Sequence, residues 1–343
     1  MAFQPRYTIT DFILNHVAQA EAARQIITNA PLVPSWERQF QHTALVRTVH
    51  HSVAIEGNAL SLSETERIIG GEELQTIRQR DVKEIVNYRN AISYIDDKRD
   101  VALSIPFLLE LHRIMGDQVL EHEKTGVFRA NDAVIVSSKT GAVVFDPPGP
   151  DEIEAEVEDL CLWDNTVATR VHPLLRAGIL HYELVRIHPF VDLNGRTSRL
   201  LATWSLYRDQ YDIRRFFSLE EYYDQNSSSY YEALESAHEG DMTWWLEYFV
   251  AGVSVELGRI KARVLELSRD QKLLQKLGQV ALNDRQMQIV QYLEENEEIR
   301  NQDFAVQFPD VSDDTILRDL KDLIDKKIVV KKGRTKAARY LLA

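Results

Sequence analysis

The chain has a single cysteine and no apolar run long enough to cross a membrane. Cys161 alone cannot form an internal disulfide, which is compatible with a reducing compartment. A membrane helix needs roughly 18 consecutive apolar residues, and no segment approaches that length. Pro5, Arg6 and Asp11 precede any apolar run. We therefore predict no signal peptide, no membrane partner and a cytoplasmic location.

The chain also has fewer basic than acidic residues. The 343 residues include 40 lysines and arginines against 53 aspartates and glutamates, which gives a formal net charge of −13. This balance disfavours broad nonspecific attraction to nucleic acid or to anionic membranes. With 44% apolar content the chain can bury more than one core, and it contains no internal repeat and no low-complexity tract.

Residues 188–199, His-Pro-Phe-Val-Asp-Leu-Asn-Gly-Arg-Thr-Ser-Arg, concentrate groups suited to chemistry. The stretch before them, Pro173 to Ile187, has apolar residues at helical spacing and predicts a buried helix that begins at its proline. Pro189 disfavours helical angles at the residue before it. We therefore expect this helix to end at His188 and a second helix to start near Gly195.

The side chains of this segment suit a polyphosphate and a divalent metal ion. Asn194 and Gly195 can adopt positive φ angles where the free N–H groups of the second helix converge, which predicts a phosphate site. Arg196 and Arg199 lie three residues apart on that helix and can contact successive phosphates. Asp192 is the hard oxygen ligand that a bridging Mg²⁺ needs.

His188 is the only group in this segment that titrates near neutrality, which makes it the natural general base. Each feature alone is more often structural, because a histidine before a proline usually ends a helix and an arginine pair is usually a solvated helix face. Their combination in this order favours a functional site.

The segment resembles the signature of the Fic family, His-x-Phe-x-(Asp/Glu)-Gly-Asn-Gly-Arg-x-x-Arg. It matches every signature position except Leu193, where the family most often has glycine. The resemblance implies a mainly α fold and a nucleotidyltransferase, most commonly one that moves AMP from ATP to a Ser, Thr or Tyr hydroxyl of a protein, itself included. A leucine at positive φ is strained, so the backbone angle of the turn stays open.

The resemblance also implies a role for each matching residue. His188 would deprotonate the acceptor hydroxyl, Asp192 would hold Mg²⁺, and Phe190 would anchor the loop in the core. The phosphates of ATP would be contacted by residues that run from the turn into the second helix. These are Leu193, Asn194, Gly195, Arg196 and Arg199.

A second helical pattern, over residues 42–56, stops at a Gly-Asn pair and places Glu56 in its last turn. A carboxylate there opposes the helix dipole, so it either faces water or has a cationic partner. Residues 52–57, Ser-Val-Ala-Ile-Glu-Gly, resemble the inhibitory motif (Ser/Thr)-x-x-x-Glu-(Gly/Asn) of the second class of Fic proteins. The resemblance implies that Glu56 pairs with Arg199 and displaces the γ-phosphate, while Ser52 braces the helix.

Two apolar stretches around the turn at 137–141 predict a β-hairpin in an otherwise helical chain. Alone it could be a surface hairpin without a role. By the resemblance it is the flap, whose edge would hold an extended target segment by strand addition. Its first strand is Ala133, Val134, Ile135 and Val136.

Tyr231 and His238 occupy the stretch that closes the adenine pocket in Fic proteins. By that resemblance they would stack on the base or hydrogen-bond to it. Paired tyrosines on a helix are more often core residues, so this alternative stays open for Tyr230 and Tyr231.

The positions of proline and glycine suggest four parts of the chain. They are an N-terminal helical region with the inhibitory motif (1–98), a Fic-type catalytic core (99–252), a connecting helix (253–283) and a small C-terminal domain (284–343). The order of elements in the last part, with a third helix capped by Ser312 and then a hairpin, resembles a winged helix-turn-helix.

The charges of the C-terminal domain divide between two elements. Its hairpin is basic from Lys326 to Arg339 and suits a phosphate backbone. Its third helix carries five aspartates, which repel DNA. We therefore favour a protein-docking role over DNA binding.

Two alternatives to an adenylyltransferase stay open. One is a DNA-binding regulator whose Fic-like part only senses nucleotide, and the other is a Fic enzyme that transfers UMP or phosphocholine. The intact set of charged residues and His188 favours an enzyme, because a sensor needs no base. The sequence does not name the target protein, the signal that relieves inhibition or the oligomeric state.

Overall fold

The structure is a computed structural model of the chain. It describes residues 3–30, 34–72, 74, 77–136, 141, 143–211, 216–277, 282–296, 298–309, 311–326, 328–333 and 338–342. The chain divides into two compact units, Met1–Val264 and Leu265–Ala343. No helix in these ranges combines the length and the apolar character needed to span a membrane.

The first unit is almost entirely helical, which confirms the mainly α prediction. Its helices are α1 (Asp11–Asn29), α2 (Pro34–Ile55), α3 (Leu62–Ile69), α4 (Gln79–Asp97), α5 (Ile105–Gly116), α6 (Pro150–Thr166), α7 (Pro173–Ile187), α8 (Asn194–Arg208), α9 (Glu220–Gln225), α10 (Ser227–Ser236) and the part of α11 (Thr243–Leu277) up to Val264. The antiparallel strands β1 (Ile135–Val136) and β2 (Val143–Phe145) form the predicted hairpin.

Local side-chain chemistry explains where several helices begin. The Thr10 hydroxyl accepts a hydrogen bond from the Ile13 amide ahead of α1, and Ser104 does the same for Phe107 ahead of α5. Such caps satisfy backbone donors that have no partner within the helix. Helix α7 begins at a proline, whose fixed φ and missing N–H suit the first helical position.

Helix α7 lies in the middle of the unit and packs against α8. All of its residues from Leu174 to Leu184 are buried, and the apolar residues used to predict it, Leu180, Leu184 and Ile187, are fully buried. One hydrophobic core joins residues of the N-terminal helices, such as Val49, to residues of α11. The boundaries expected at residues 98 and 252 therefore lie inside one compact unit, and the expected connecting helix is the continuation of α11.

The second unit has its own core. It contains α12 (Asp284–Asn296), β3 (Ile299–Arg300), α13 (Phe304–Gln307), α14 (Asp313–Asp325), β4 (Val329–Lys332) and β5 (Arg339–Leu342). The strands form an antiparallel sheet in the order β3-β5-β4. The predicted helices and hairpin are present, and the short strand β3 was not predicted. Arg334 in the basic turn lies outside the described residues.

Two expectations about α14 need correction. Ser312 stands at its N-cap position, but its hydroxyl lies 2.9 Å from the Thr315 hydroxyl and makes no cap hydrogen bond to the backbone. Asp319 is buried and accepts hydrogen bonds from Asn283 and Arg285. The free surface of α14 is therefore less acidic than the count of five aspartates suggested.

A buried ion-pair network joins α6, α7 and α8. The Asp164 carboxylate is fully buried and accepts hydrogen bonds from Arg176 Nε at 2.8 Å and from both terminal nitrogens of Arg208 at 2.8 and 2.9 Å. Removing one member of such a network leaves the others charged and unpaired in a poorly solvated place.

We expect Asp164→Ala to lower the free energy of unfolding by about 3–5 kcal/mol, because two guanidiniums lose their shared partner. Urea denaturation followed by circular dichroism measures the change. Glu154→Ala, at an exposed position of the same helix, is the control and should change the value by less than about 0.5 kcal/mol. Equal effects of the two substitutions would contradict the structural importance of the network.

Candidate active site

The loop between α7 and α8 is shaped by two residues with left-handed backbone angles. His188 ends α7 at φ 49° and ψ 55°, and Leu193 precedes α8 at φ 66° and ψ 10°. The positive φ angles expected at Asn194 and Gly195 therefore occur at Leu193 instead, because those two residues are already the first of α8. A non-glycine residue in this region costs of the order of 1–3 kcal/mol, so the loop stores strain.

Buried contacts hold the loop in this shape. The Asn194 amide donates to the Phe190 carbonyl at 2.8 Å and accepts from the Phe190 N–H at 3.0 Å. Its side chain thus closes the loop by two hydrogen bonds to the protein backbone, and the contact of Asn194 with phosphate stays a prediction. Phe190 is fully buried and stacks on His112 with ring centroids 3.9 Å apart, as expected for a core anchor.

His188 has the hydrogen bonds of a base that is ready to accept a proton. Its Nδ1 lies 3.2 Å from the Val185 carbonyl. A carbonyl only accepts, so Nδ1 carries the hydrogen and Nε2 keeps its lone pair. Burial lowers the pKa of His188, and the positive charge of Arg129 acts in the same direction. The imidazole is therefore neutral at pH 7.

Two buried side chains that support this loop were missed by sequence reasoning. Arg129 Nε donates to the His188 carbonyl at 2.8 Å, and its Nη2 donates to the Pro148 carbonyl at 2.5 Å. His112 Nδ1 accepts from the Gly126 N–H at 2.9 Å, so its Nε2 donates to the Asp192 carbonyl at 3.2 Å. Burial lowers the pKa of His112 to about 4, which keeps it neutral.

The structure brings Glu56, Ser52 and Arg199 together, although 143 residues separate Glu56 from Arg199 along the chain. The Arg199 guanidinium donates from Nη2 to Glu56 Oε1 at 2.9 Å and to the Ser52 carbonyl at 3.0 Å. Its Nε donates to the Ser52 hydroxyl at 3.0 Å. Ser52 thus braces Arg199 rather than its own helix, and Glu56 lies just past the last residue of α2.

The Glu56 carboxylate lies against the first turn of α8. A Cβ atom added at Gly195 would be 2.6 Å from Glu56 Oε1, so the glycine is needed for close approach and not for its backbone angle. Burial raises the pKa of Glu56, but the charges of Arg199 and Arg196 outweigh it and the pKa is lowered overall. An ionised carboxylate therefore occupies an anion-binding position at a helix N-terminus.

Arg196 has an incompletely satisfied side chain. Only 7% of the side chain is exposed, its Nη1 lies 3.6 Å from Glu84 Oε1, and its buried Nε has no hydrogen-bond partner. Glu84 is shared, because it also accepts from Asn58 at 3.0 Å and from Arg80 at 3.2 Å. A buried donor without a partner costs free energy, which an oxygen ligand would recover.

Asp192 suits a metal ion that arrives with phosphates. Its side chain is 47% exposed, its Oδ1 accepts from the Leu193 N–H at 2.6 Å, and its Oδ2 lies 3.9 Å from Arg80 Nη2. Across the described ranges, no cluster of three or more His, Cys, Asp or Glu side chains could hold a metal by itself. Mg²⁺ commonly uses one or two carboxylates together with substrate phosphates, so a single aspartate fits.

The residues expected around the adenine ring differ in their surroundings. Tyr230 is a core residue, as the alternative held, since its buried hydroxyl lies 2.9 Å from His181 Nε2. Tyr231 is only partly buried; burial raises the pKa of its hydroxyl, and the charge of Glu56 acts in the same direction. His238 stacks on Phe145 of β2 with centroids 4.3 Å apart, and burial lowers its pKa to about 4.

The hairpin is shorter than expected. Ile135 and Val136 form β1, whereas Ala133 and Val134 lie outside the strand. The side chains of Val134, Val136 and Val143 are exposed. Residues 137–140 of the predicted turn, and Ala142 after it, lie outside the described residues.

Comparisons with known proteins point to one family. Residues 102–206 match the Fic/DOC family. The protein adenylyltransferase Fic of Drosophila willistoni is 32% identical over 235 residues, which are 66% of this chain and 43% of that protein. That of Drosophila melanogaster is 34% identical over 215 residues, 60% of this chain and 39% of that protein. The chain thus spans less than half the length of these relatives.

Solved structures share the fold. A Fic family protein from Desulfovibrio desulfuricans G20 superposes with a TM-score of 0.74 at 24% identity, over 99% of this chain and 98% of that one. A Fic domain containing signaling protein from Bacteroides thetaiotaomicron VPI-5482 gives a TM-score of 0.62 at 23% identity, over 76% and 98%.

We expect His188 to titrate with a pKa below 6.5, because its burial disfavours the charged ring. Glu56→Gln should lower this pKa further, because the Glu56 carboxylate favours the imidazolium. NMR titration of the histidine ring protons measures both values, and the signal lost in His188→Gln assigns the resonance. A midpoint at or above 6.5 in the parent protein would contradict the neutral base.

Proposed function

Because residues 102–206 of the chain match the Fic/DOC family, we propose that the protein is a protein adenylyltransferase that is inhibited by its own Glu56. It transfers AMP from ATP to a Ser, Thr or Tyr hydroxyl of a target protein or of itself. The names of the curated relatives support AMP rather than UMP or phosphocholine as the transferred group.

The observation that carries the proposal is the position of the Glu56 carboxylate. It lies at the first turn of α8, against Gly195, and is bound by a guanidinium with 1% exposure. Helix N-termini and arginine forks are the groups that proteins use for phosphate. A side chain from α2 thus occupies a place whose chemistry suits a phosphate of ATP.

Transfer begins when the phosphates of ATP take this place. Arg199 leaves Glu56 for the γ-phosphate, and Arg196 supplies its unpartnered Nε to a phosphate oxygen. The shaped backbone of the loop, held by Asn194, contributes N–H groups. Asp192 would hold Mg²⁺, which supplies positive charge to the phosphates.

The chemical step is an in-line displacement at the α-phosphorus. The hydroxyl oxygen of the target forms the new O–P bond while the bond from the α-phosphorus to the oxygen bridging to the β-phosphate breaks. His188 Nε2 takes the hydroxyl proton, and pyrophosphate leaves. The neutral state of His188 at pH 7 supports this role.

The surrounding elements have proposed roles in recognition. An extended target segment would add to the edge of β1 at Ile135 and Val136, which presents the hydroxyl with little side-chain specificity. Tyr231 and His238 would contact the base. The C-terminal unit would dock the protein target, and DNA remains the less favoured partner.

We predict that Glu56→Gly increases self-modification from ATP about tenfold or more. A charged hydrogen bond of roughly 1.5–3 kcal/mol no longer competes for Arg199. Mass spectrometry of the protein after incubation with ATP and Mg²⁺ counts the added AMP units. Glu56→Gly with Arg199→Ala should lose the gain, since both changes act on one guanidinium. If Glu56→Gly binds ATP yet is no more active than the parent, Glu56 is not inhibitory.

In the Glu56→Gly background, His188→Ala should lower transfer by about 10²- to 10⁴-fold, the usual contribution of a positioned general base. ATP affinity, measured by calorimetry, should stay within about twofold, because His188 contacts the hydroxyl and not the phosphates. Incubation with each nucleoside triphosphate in turn tests the choice of AMP. Unchanged labelling in the histidine variant would remove it from the mechanism.

A further inference from the structure

A second carboxylate belongs to the surroundings of Arg199. Glu220, the first residue of α9, is 3% exposed and accepts a hydrogen bond from the Tyr88 hydroxyl at 3.3 Å. Tyr88 is buried on α4, and burial raises the pKa of its hydroxyl, while Arg199 and the Ser52 side chain lie near enough to it for both to act in the opposite direction with a smaller effect. The Ser52 hydroxyl accepts from Arg199 Nε. Tyr88 therefore lies on a buried path from Glu220 towards the guanidinium, hydrogen-bonded to the carboxylate at one end and close to Arg199 at the other.

The two carboxylates near Arg199 differ in how easily they can move. The Glu56 side chain is 30% exposed and follows the end of α2, so it can turn away into solvent. Glu220 is buried within the core and cannot leave without disturbing α9. When Glu56 turns away, Arg199 remains an almost fully buried cation, and such a cation needs a compensating charge.

The charge of Glu220 is set by its neighbours. Burial raises its pKa to about 7, while its own backbone N–H, the charge of Arg199 and the Tyr88 hydroxyl act in the opposite direction. Glu256 on α11 adds a repulsive charge, and the Tyr223 hydroxyl also faces it. The carboxylate is therefore ionised at pH 8 and protonated at pH 6.

We propose that Glu220 is a positioning residue for Arg199. Through Tyr88 it holds the guanidinium in place when Glu56 is displaced, and in its ionised form its negative charge limits how strongly Arg199 binds the γ-phosphate of ATP. This inference rests on the proposed function, because it assigns the γ-phosphate to Arg199.

The proposal predicts a difference between nucleotides. Replacing Glu220 by glutamine keeps an oxygen for the Tyr88 hydroxyl and removes the negative charge, so the potential at Arg199 becomes more positive. ATP has the γ-phosphate that Arg199 would contact, whereas ADP lacks it. The affinity for ATP should therefore change and the affinity for ADP should not. A packing defect would weaken both nucleotides together.

The test uses two variants, Glu56→Gly and the double variant that also carries Glu220→Gln. Calorimetry in saturating Mg²⁺ measures the affinity of each variant for ATP and for ADP. At pH 8 we expect the glutamine to tighten ATP binding about threefold to tenfold and to leave ADP within about twofold. At pH 6 the gain for ATP should disappear, because the parent carboxylate is then neutral as well. The phosphates of the nucleotides also change protonation between pH 6 and pH 8, but this affects both variants equally and cancels when they are compared.

Two controls separate charge from structure. Glu221→Gln removes the adjacent carboxylate of α9, which pairs with Arg47 and Arg259, and should not change the ratio of ATP to ADP affinity. Adding Arg199→Ala should abolish the effect of Glu220→Gln. If Glu220→Gln does not fold, Tyr88→Phe breaks the same path and should alter ATP binding without altering ADP binding.

The outcomes are distinct. Equal changes for ATP and ADP, or the same ATP gain at pH 6 and pH 8, would overturn the positioning role while leaving the adenylyltransferase proposal intact. Failure of Glu56→Gly to bind ATP would overturn the proposed function, and this inference with it.

Discussion

The buried guanidinium of Arg199 is the constraint around which the first unit is arranged. Four helices contribute to its surroundings, because Ser52 lies on α2 with Glu56 directly after it, Tyr88 on α4 and Glu220 on α9, while α8 carries the arginine itself. A cation with so little exposure is tolerated only with acceptors on several sides. The same need for acceptors makes the place attractive to phosphate.

Much of the site was readable from the sequence because its signals are local. Pro173, Pro189 and apolar residues at helical spacing fixed α7 and its end at His188. The positive φ was misplaced from Leu193 to the Asn-Gly pair, because propensity favours asparagine and glycine there. Tertiary contacts override this propensity, because the Asn194 side chain closes the loop by hydrogen bonds to the Phe190 backbone.

What the sequence could not show are contacts between distant segments that use ordinary groups. Arg129 and His112 act on backbone carbonyls, which carry no sequence signal, and Glu220 is linked to the surroundings of Arg199 by its hydrogen bond with Tyr88 and by charge. The pairing of Glu56 with Arg199 was expected from the family resemblance alone. In the C-terminal unit, the sequence likewise does not show that Asn283 and Arg285 donate hydrogen bonds to Asp319, so the sequence analysis treated its carboxylate as exposed.

The N-terminal helices and α7 share one hydrophobic core, and this has a consequence for control of the protein. An inhibitor that is a separate module can be shed by cleavage or drawn off by a competing partner. Here helix α2, which carries the proposed inhibitory residues, belongs to the same hydrophobic core as α7, so its removal would also disrupt the loop between α7 and α8. On the proposed function, relief of inhibition would therefore be a reversible turn of the Glu56 side chain, a change small enough to be undone after each round of use.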